Sequence, residues 1–346
     1  MQHFRLSFLV TFVCVVLSYM WAGLYGAFIT VILGVLEVSL SFDNAVVNAS
    51  ILKRMEEKWQ QYFLTWGILV AVFGMRLLFP IVIVSAATGI GFIGVTDMAL
   101  NDTETYAQHL LDSHIQIAAF GGMFLLMVFF SFIFNEAKDI HWLGYIEEKL
   151  AAWGKLESIE VIVALSILLL GQGLLPEEVR LDALVAGVFG VILFVAVDSM
   201  AALFEDAEEG EAISGTVKKA GMMSFVYLEI LDASFSFDGV IGAFAITQDV
   251  VIIMLGLAMG AMFVRSLTVY LVRQGTLDEY IFLEHGAHYA IGVLAAIMLI
   301  SMSVHISEII TGLAGAILIA ISVYSSIQYK KENESSTTTF SATKFK

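Results

Sequence analysis

A bundle of membrane-spanning α-helices is the all-α fold class this sequence predicts, and three observations carry the prediction. Hydrophobic residues fill 59% of the 346 positions and charged residues only 14%, an apolar share beyond what a soluble globule of this length can bury. The apolar residues run continuously, without period-2 alternation, and only Pro80 and Pro176 interrupt them. Such segments satisfy their backbone groups internally as helices, not by pairing as barrel strands. The stretches also share a length. A hydrocarbon core about 30 Å thick takes roughly 20 helical residues, which gives ten spans: 6–23, 26–50, 61–84, 114–135, 158–174, 183–204, 221–246, 250–272, 285–304 and 307–327.

The first stretch has the basic start and apolar run of a signal peptide but no small-x-small cleavage site, so it reads as a retained span. The second and seventh carry acidic residues, the third and eighth an arginine each, Arg76 and Arg265. The ninth opens on Glu284, His285 and His288, with Glu284 and His288 four apart on one helical face. The polar stretch 330–346 after the tenth is expected to be a disordered tail. Of the 17 Lys and Arg residues, two lie within spans, Arg180 alone falls on one side, and the remaining fourteen share the other. This asymmetry predicts a protein of the inner or plasma membrane with both termini in the cytoplasm.

Comparing the chain with itself exposes a repeat. EVSLSFDN at 37–44 aligns without gaps to DASFSFDG at 232–239, so Glu37 matches Asp232, Ser39 Ser234, Ser41 Ser236, Asp43 Asp238 and Asn44 Gly239. The following span continues the likeness, with Gly67 and Arg76 nine apart, as are Gly256 and Arg265. The chain divides into a first repeat at 1–175 and a second at 176–329, five helices plus five. An odd number makes the second copy enter from the opposite side, an inverted repeat of the kind transporters use, with the two motifs antiparallel near the bilayer midplane.

Carboxylates inside a span cost several kcal/mol unless paired, protonated or solvated. A bound cation is one reason for them; a structural set of acids paired with Arg76 and Arg265 is another. Glu37 and Asp43 lie 120° apart around an ideal helix, so a common ion requires a kink or local unwinding at each S-x-S, where serines bond back to the preceding turn. The candidate metal ligands are Glu37, Asp43, Asn44, Asp232 and Asp238, with Ser39, Ser41, Ser234, Ser236 and Glu229 as accessory ligands or proton carriers. Arg76, Arg265, Glu284 and His288 are candidates for surrounding support. An all-oxygen set suits a hard divalent cation. Cys14, the only cysteine, leaves no thiolate cage or internal disulfide, and the net charge of −16 excludes a nucleic-acid partner. No G-x-S-x-G, H-E-x-x-H or Walker motif occurs, so an enzyme with a prosthetic cofactor is not expected.

The paired segments LEVSLSFDNAVV and LDASFSFDGVIGAFA resemble the two signature segments of the TerC-like integral membrane proteins, relatives of the LysE transporter superfamily. The resemblance extends over about residues 26–304. It implies efflux of Mn²⁺ or a similar ion as substrate, with Asp43, Asn44 and Asp238 foremost as ligands, then Glu37 and Asp232. The expected function is a secondary exporter of a divalent cation, driven by an ion gradient such as protons. The alternatives are a membrane partner that supplies metal to exported proteins or stabilises a complex, or an exporter of a small organic solute. Expected partners are the lipid bilayer, the metal ion, and a second copy or an exported protein.

Overall fold

The computed structural model describes residues 4–70, 74, 76, 78–210, 216–304, 306 and 308–343; the side chains of 201–221, Ser234, Ser236 and Asp238 are among those outside the description. Among the described residues every element is helical. In order these are α1 (Arg5–Leu40), α2 (Phe42–Arg54), α3 (Glu57–Leu69), α4 (Phe79–Thr88), α5 (Phe92–Asn101), α6 (Thr103–Asp112), α7 (His114–Ile133) and α8 (Tyr145–Trp153). There follow α9 (Ile159–Gly171), α10 (Glu177–Gly210), α11 (Thr216–Ile246), α12 (Val250–Gln274), α13 (Thr276–Glu279), α14 (Leu283–Ser301) and α15 (Glu308–Thr343). Among the described residues six helices are long and apolar enough to cross a membrane: Arg5–Leu40, His114–Ile133, Glu177–Met200, Val250–Gln274, Leu283–Ser301 and Ile310–Lys331. The protein is a multi-pass helical membrane protein.

The 36 residues of α1 are not one rod. Ala22 (φ −133°, ψ 22°) and Gly23 (φ 64°, ψ −153°) leave helical geometry, and the chain reverses there. Thr30 Oγ1 donates to Ser18 Oγ at 2.6 Å, although twelve residues of continuous helix would hold the two about 18 Å apart. Two limbs result, 5–21 and 24–40, matching the boundary expected between the first two spans.

Both limbs pack on α12, in opposite senses. On the first, Ser7 Oγ donates to the Met262 carbonyl (2.8 Å) and Trp21 Nε1 to Asp249 (2.9 Å). On the second, Leu33 faces Gly256 and Glu37 faces Gly260. Gly256 and Gly260 form a small-residue seam that lets backbones approach closely: a β-carbon on Gly256 would stand 2.6 Å from Leu33 Cβ, and one on Gly260 would overlap the Glu37 stem.

Two apolar cores flank the motif region. One gathers α7, α10 and α14 around Phe124, Met127 and Ile291, and includes Val46, Val47, Leu231 and Phe235. The other gathers Leu33, Val84, Leu110, Ile252 and Leu257 with Val240 and Phe244. Each motif helix therefore starts in one core and ends in the other, in opposite order, and its polar residues fall between them.

At the carboxyl end α15 runs as helix to Thr343, with the good helix formers Gln328, Lys330, Lys331 and Glu332 directly following its apolar part.

The turn at Gly23 gives a direct test. Its φ and ψ lie where only glycine is comfortable, and no neighbour crowds it, so Gly23→Ala should cost about 1–3 kcal/mol through backbone strain alone. Gly171, with helical φ −62° and equally open space, should accept alanine without loss. Thermal melting of the two purified variants in detergent checks the contrast; equal midpoints would refute the turn.

Candidate cation site

Glu37 ends the second limb of α1, Ser41 (φ −104°, ψ 19°) breaks the helix, and Asp43 stands in the first turn of α2. Ser39 Oγ bonds back to the Val35 carbonyl (2.8 Å) and Ser41 Oγ donates to Glu37 Oε1 (3.2 Å). Asp43 accepts the Asn44 N–H (2.9 Å) at the helix start, where the dipole favours negative charge. The break undoes the 120° offset: Glu37 and Asp43 line one cavity of about 20 Å³, with Ser41, Gly239, Leu294 and Thr311. The expected kink is thus present in the first motif. It is absent from the second, because α11 runs unbroken from Thr216 to Ile246. There the helix is held in both cores, by Leu231 and Phe235 on one side and Val240 and Phe244 on the other, and serine back-bonding bends a helix without breaking it.

The motif segments pair antiparallel. Asn44 Nδ2 donates to Asp232 Oδ1 at 2.8 Å, and seven residues earlier Glu37 Oε2 would lie 2.6 Å from a β-carbon on Gly239. Since Asn44 aligns with Gly239 and Glu37 with Asp232, one contact is made twice with the halves exchanged. A second pair repeats the exchange: Gly34 meets the Gly256 backbone, and Glu229 meets Gly67. Glycine at 239 is what the Glu37 carboxylate requires, since an asparagine side chain would occupy its place.

Both arginines are buried partners of acids and do not snorkel to the interface. Arg76, in a segment where Val70, Gly74, Arg76 and Leu78 have π-helical backbone, pairs through Nη2 with Glu37 Oε1. Arg265 lies 3.6 Å from Glu229 and donates Nη1 to the Phe63 carbonyl. The two guanidiniums line a second cavity, about 10 Å³ and room for one water, with Asn48, Asp232 and Thr268. Glu37, Asp43, Glu229 and Asp232 are 1%, 6%, 5% and 7% exposed. Four buried carboxylates face two guanidiniums, and among the described residues Asp43 has no basic partner. The side chains of Ser234, Ser236 and Asp238 lie outside the described residues. Among those described, no group of three or more His, Cys, Asp or Glu side chains is arranged to hold a metal: Glu37 and Asp43 line one cavity, and Asp232 the other.

Residues 42–333 match the family described as "Protein of unknown function (DUF475)". The chain belongs to this family. No curated protein and no solved structure matches it. The matched region of this DUF475 protein opens one residue past the Ser41 break, so it contains Asp43, Asn44, Asp232 and Asp238 but not Glu37.

Glu284 and His288 stand in the first two turns of α14. His288 stacks on Phe132 (4.0 Å) and bonds the Glu284 carbonyl (2.8 Å), about 9 Å along α14 from the cavity residue Leu294. They border a cluster that sequence reasoning missed, centred on the fully buried Glu147 of α8. Lys138 Nζ pairs with Glu147 Oε1, the Leu143 N–H donates to Oε2 (3.1 Å), and His285 Nε2 lies 3.3 Å from Oε1 while donating to the Ile140 carbonyl (2.8 Å). No spacing in the sequence signals it, since Lys138 and Glu147 stand nine residues apart among other charged residues. This cluster ties the α7–α9 connection to the first turn of α14. Burial works to raise the Glu147 pKa, but the bonds from His285, Lys138 and Leu143 outweigh it and hold the carboxyl down to about 2, from 4.5. A depressed carboxyl contributes stability that is full above pH 4.5 and lost as pH falls toward 2. Glu147→Gln should therefore lower stability at neutral pH by on the order of 3 kcal/mol, and its melting point should stay flat between pH 5 and pH 3 where the wild type declines. Parallel acid-melting curves for the two proteins would sink this account.

Proposed function

We propose that this DUF475 protein is a secondary membrane transporter that exports a hard divalent cation, Mn²⁺ foremost, from the cytoplasm. The observation that carries the reading is the imbalance of buried charge. Among the described side chains the buried carboxylates Glu37, Asp43, Glu229 and Asp232 outnumber the two guanidiniums, and the sequence adds the acid Asp238 to the same segment, an excess of negative charge that a divalent ion would offset. Such an excess inside a bilayer needs a compensating ligand. The break at Ser41 supports it, turning Glu37 and Asp43 to one cavity together with the hydroxyl-bearing Ser41 and Thr311, oxygen donors of the kind Mn²⁺ and Mg²⁺ accept.

The exchanged contacts across the two halves, Asn44 with Asp232 and Glu37 with Gly239, support an inverted repeat within ten spans, which would carry the ion by rocking one half against the other. The distribution of Lys and Arg supports cytoplasmic termini. The resemblance to TerC-like proteins favours manganese over calcium. Coupling falls to an ion gradient, since the chain has no nucleotide-binding motif.

Flux of ⁵⁴Mn²⁺ from proteoliposomes containing only this protein is the test, with Ca²⁺, Mg²⁺ and amino acids as competitors. Wild type should release the label, and Asp43→Asn should slow release at least tenfold. Binding without flux would favour the metal-supplying partner, and an Asp43→Asn variant as active as wild type would end the metal-site reading.

A further inference from the structure

The acid that opens the first motif already holds a cation of the protein's own. Glu37 is 1% exposed, and its Oε1 accepts both Arg76 and Ser41 while Oε2 faces Gly239. A divalent ion bound by Glu37 would stand about 2.0–2.6 Å from a carboxylate oxygen, against the guanidinium on the same group. Like charges so close in a dry interior repel strongly, so Arg76 and the ion exclude each other.

Arg76 also has a second seat. It lines the cavity that holds the Asp232 carboxylate and Asn48, and Asn48 Oδ1 is buried without a hydrogen-bond partner. A buried acceptor left unsatisfied costs about 1–3 kcal/mol, and a guanidinium, with five donors, is suited to fill it.

We infer that Arg76 is a tethered counter-ion that neutralises Glu37 while the site is empty and moves toward Asp232 and Asn48 when a divalent cation binds. The inference rests on the transport reading above and deepens it. Arg76 then shapes two properties. It competes with the ion, which sets affinity low enough for release, and it lets the empty site return across the membrane with Glu37 compensated. Net export needs that return; exchange of one bound ion for another does not.

The test joins equilibrium binding of ⁵⁴Mn²⁺ to the purified full-length protein with two flux modes in proteoliposomes. Arg76→Gln should bind Mn²⁺ at least tenfold more tightly, lose net efflux, and keep Mn²⁺/Mn²⁺ exchange. Asn48→Leu, which removes the second seat and leaves Arg76 on Glu37, should bind several-fold more weakly. Should Arg76→Gln fail to fold, Arg76→Lys serves in its place, with an ammonium that reaches Glu37 less well and binding tightened by a smaller factor. Binding by the arginine variants that is unchanged or weaker than wild type, or net efflux and exchange lost together, overturns the inference while leaving the transport reading intact. A wild-type protein that binds no divalent ion overturns the transport reading itself.

Discussion

The four carboxylates that the described residues bury in the interior of a membrane bundle are the constraint on which the rest of the site depends. Each costs several kcal/mol unless compensated, and each neighbouring feature is a form of compensation. Arg76 and Arg265 cover Glu37 and Glu229, the Asn44 amide reaches Asp232, and the start of α2 offers its N–H groups to Asp43. The glycines follow from the same need. Gly67, Gly239 and Gly260 stand where any side chain would strike Glu229, Arg265 or Glu37, so the polar groups occupy space the backbone has vacated.

Covering acids with arginines does not make the site inert. A buried ion pair gains little net stability over an apolar pair of like volume, so the presence of one beside each motif speaks for a use. The separation of the acids into two adjoining cavities has a consequence of its own. On the transport reading proposed above, an ion engaging both motifs would draw them together at the seam where 37–44 pairs antiparallel with 232–239.

Much of this was legible in the sequence. Long apolar runs marked a multi-pass helical membrane protein, the gapless match of EVSLSFDN to DASFSFDG marked the two segments that meet, and the 120° offset of Glu37 and Asp43 pointed to the break found at Ser41. What was not legible depends on tertiary partners. The serines of 234 and 236 resemble those of 39 and 41, yet α11 stays whole because two cores grip it. Residue spacing left ion pairing and metal ligation of Glu37 as open alternatives, and only the position of Arg76 shows which acid it meets. Glu284 and His288 share a helical face, but that face turns toward Phe132 and Lys138. Glu147 draws its partners from 138, 143 and 285, a set no local periodicity brings together.

The reversal at Gly23 bears on how the chain counts its crossings. A straight helix of 36 residues would measure about 54 Å, well beyond a hydrocarbon core of about 30 Å, and the apolar runs of the sequence already divide it between residues 23 and 26. Folded at Gly23, the same residues form a hairpin whose two limbs clasp α12. One crossing or two is a question of parity, and parity fixes the face of the bilayer on which every later connection emerges. The sidedness of the bundle thus hangs on one peptide unit that only glycine adopts with ease.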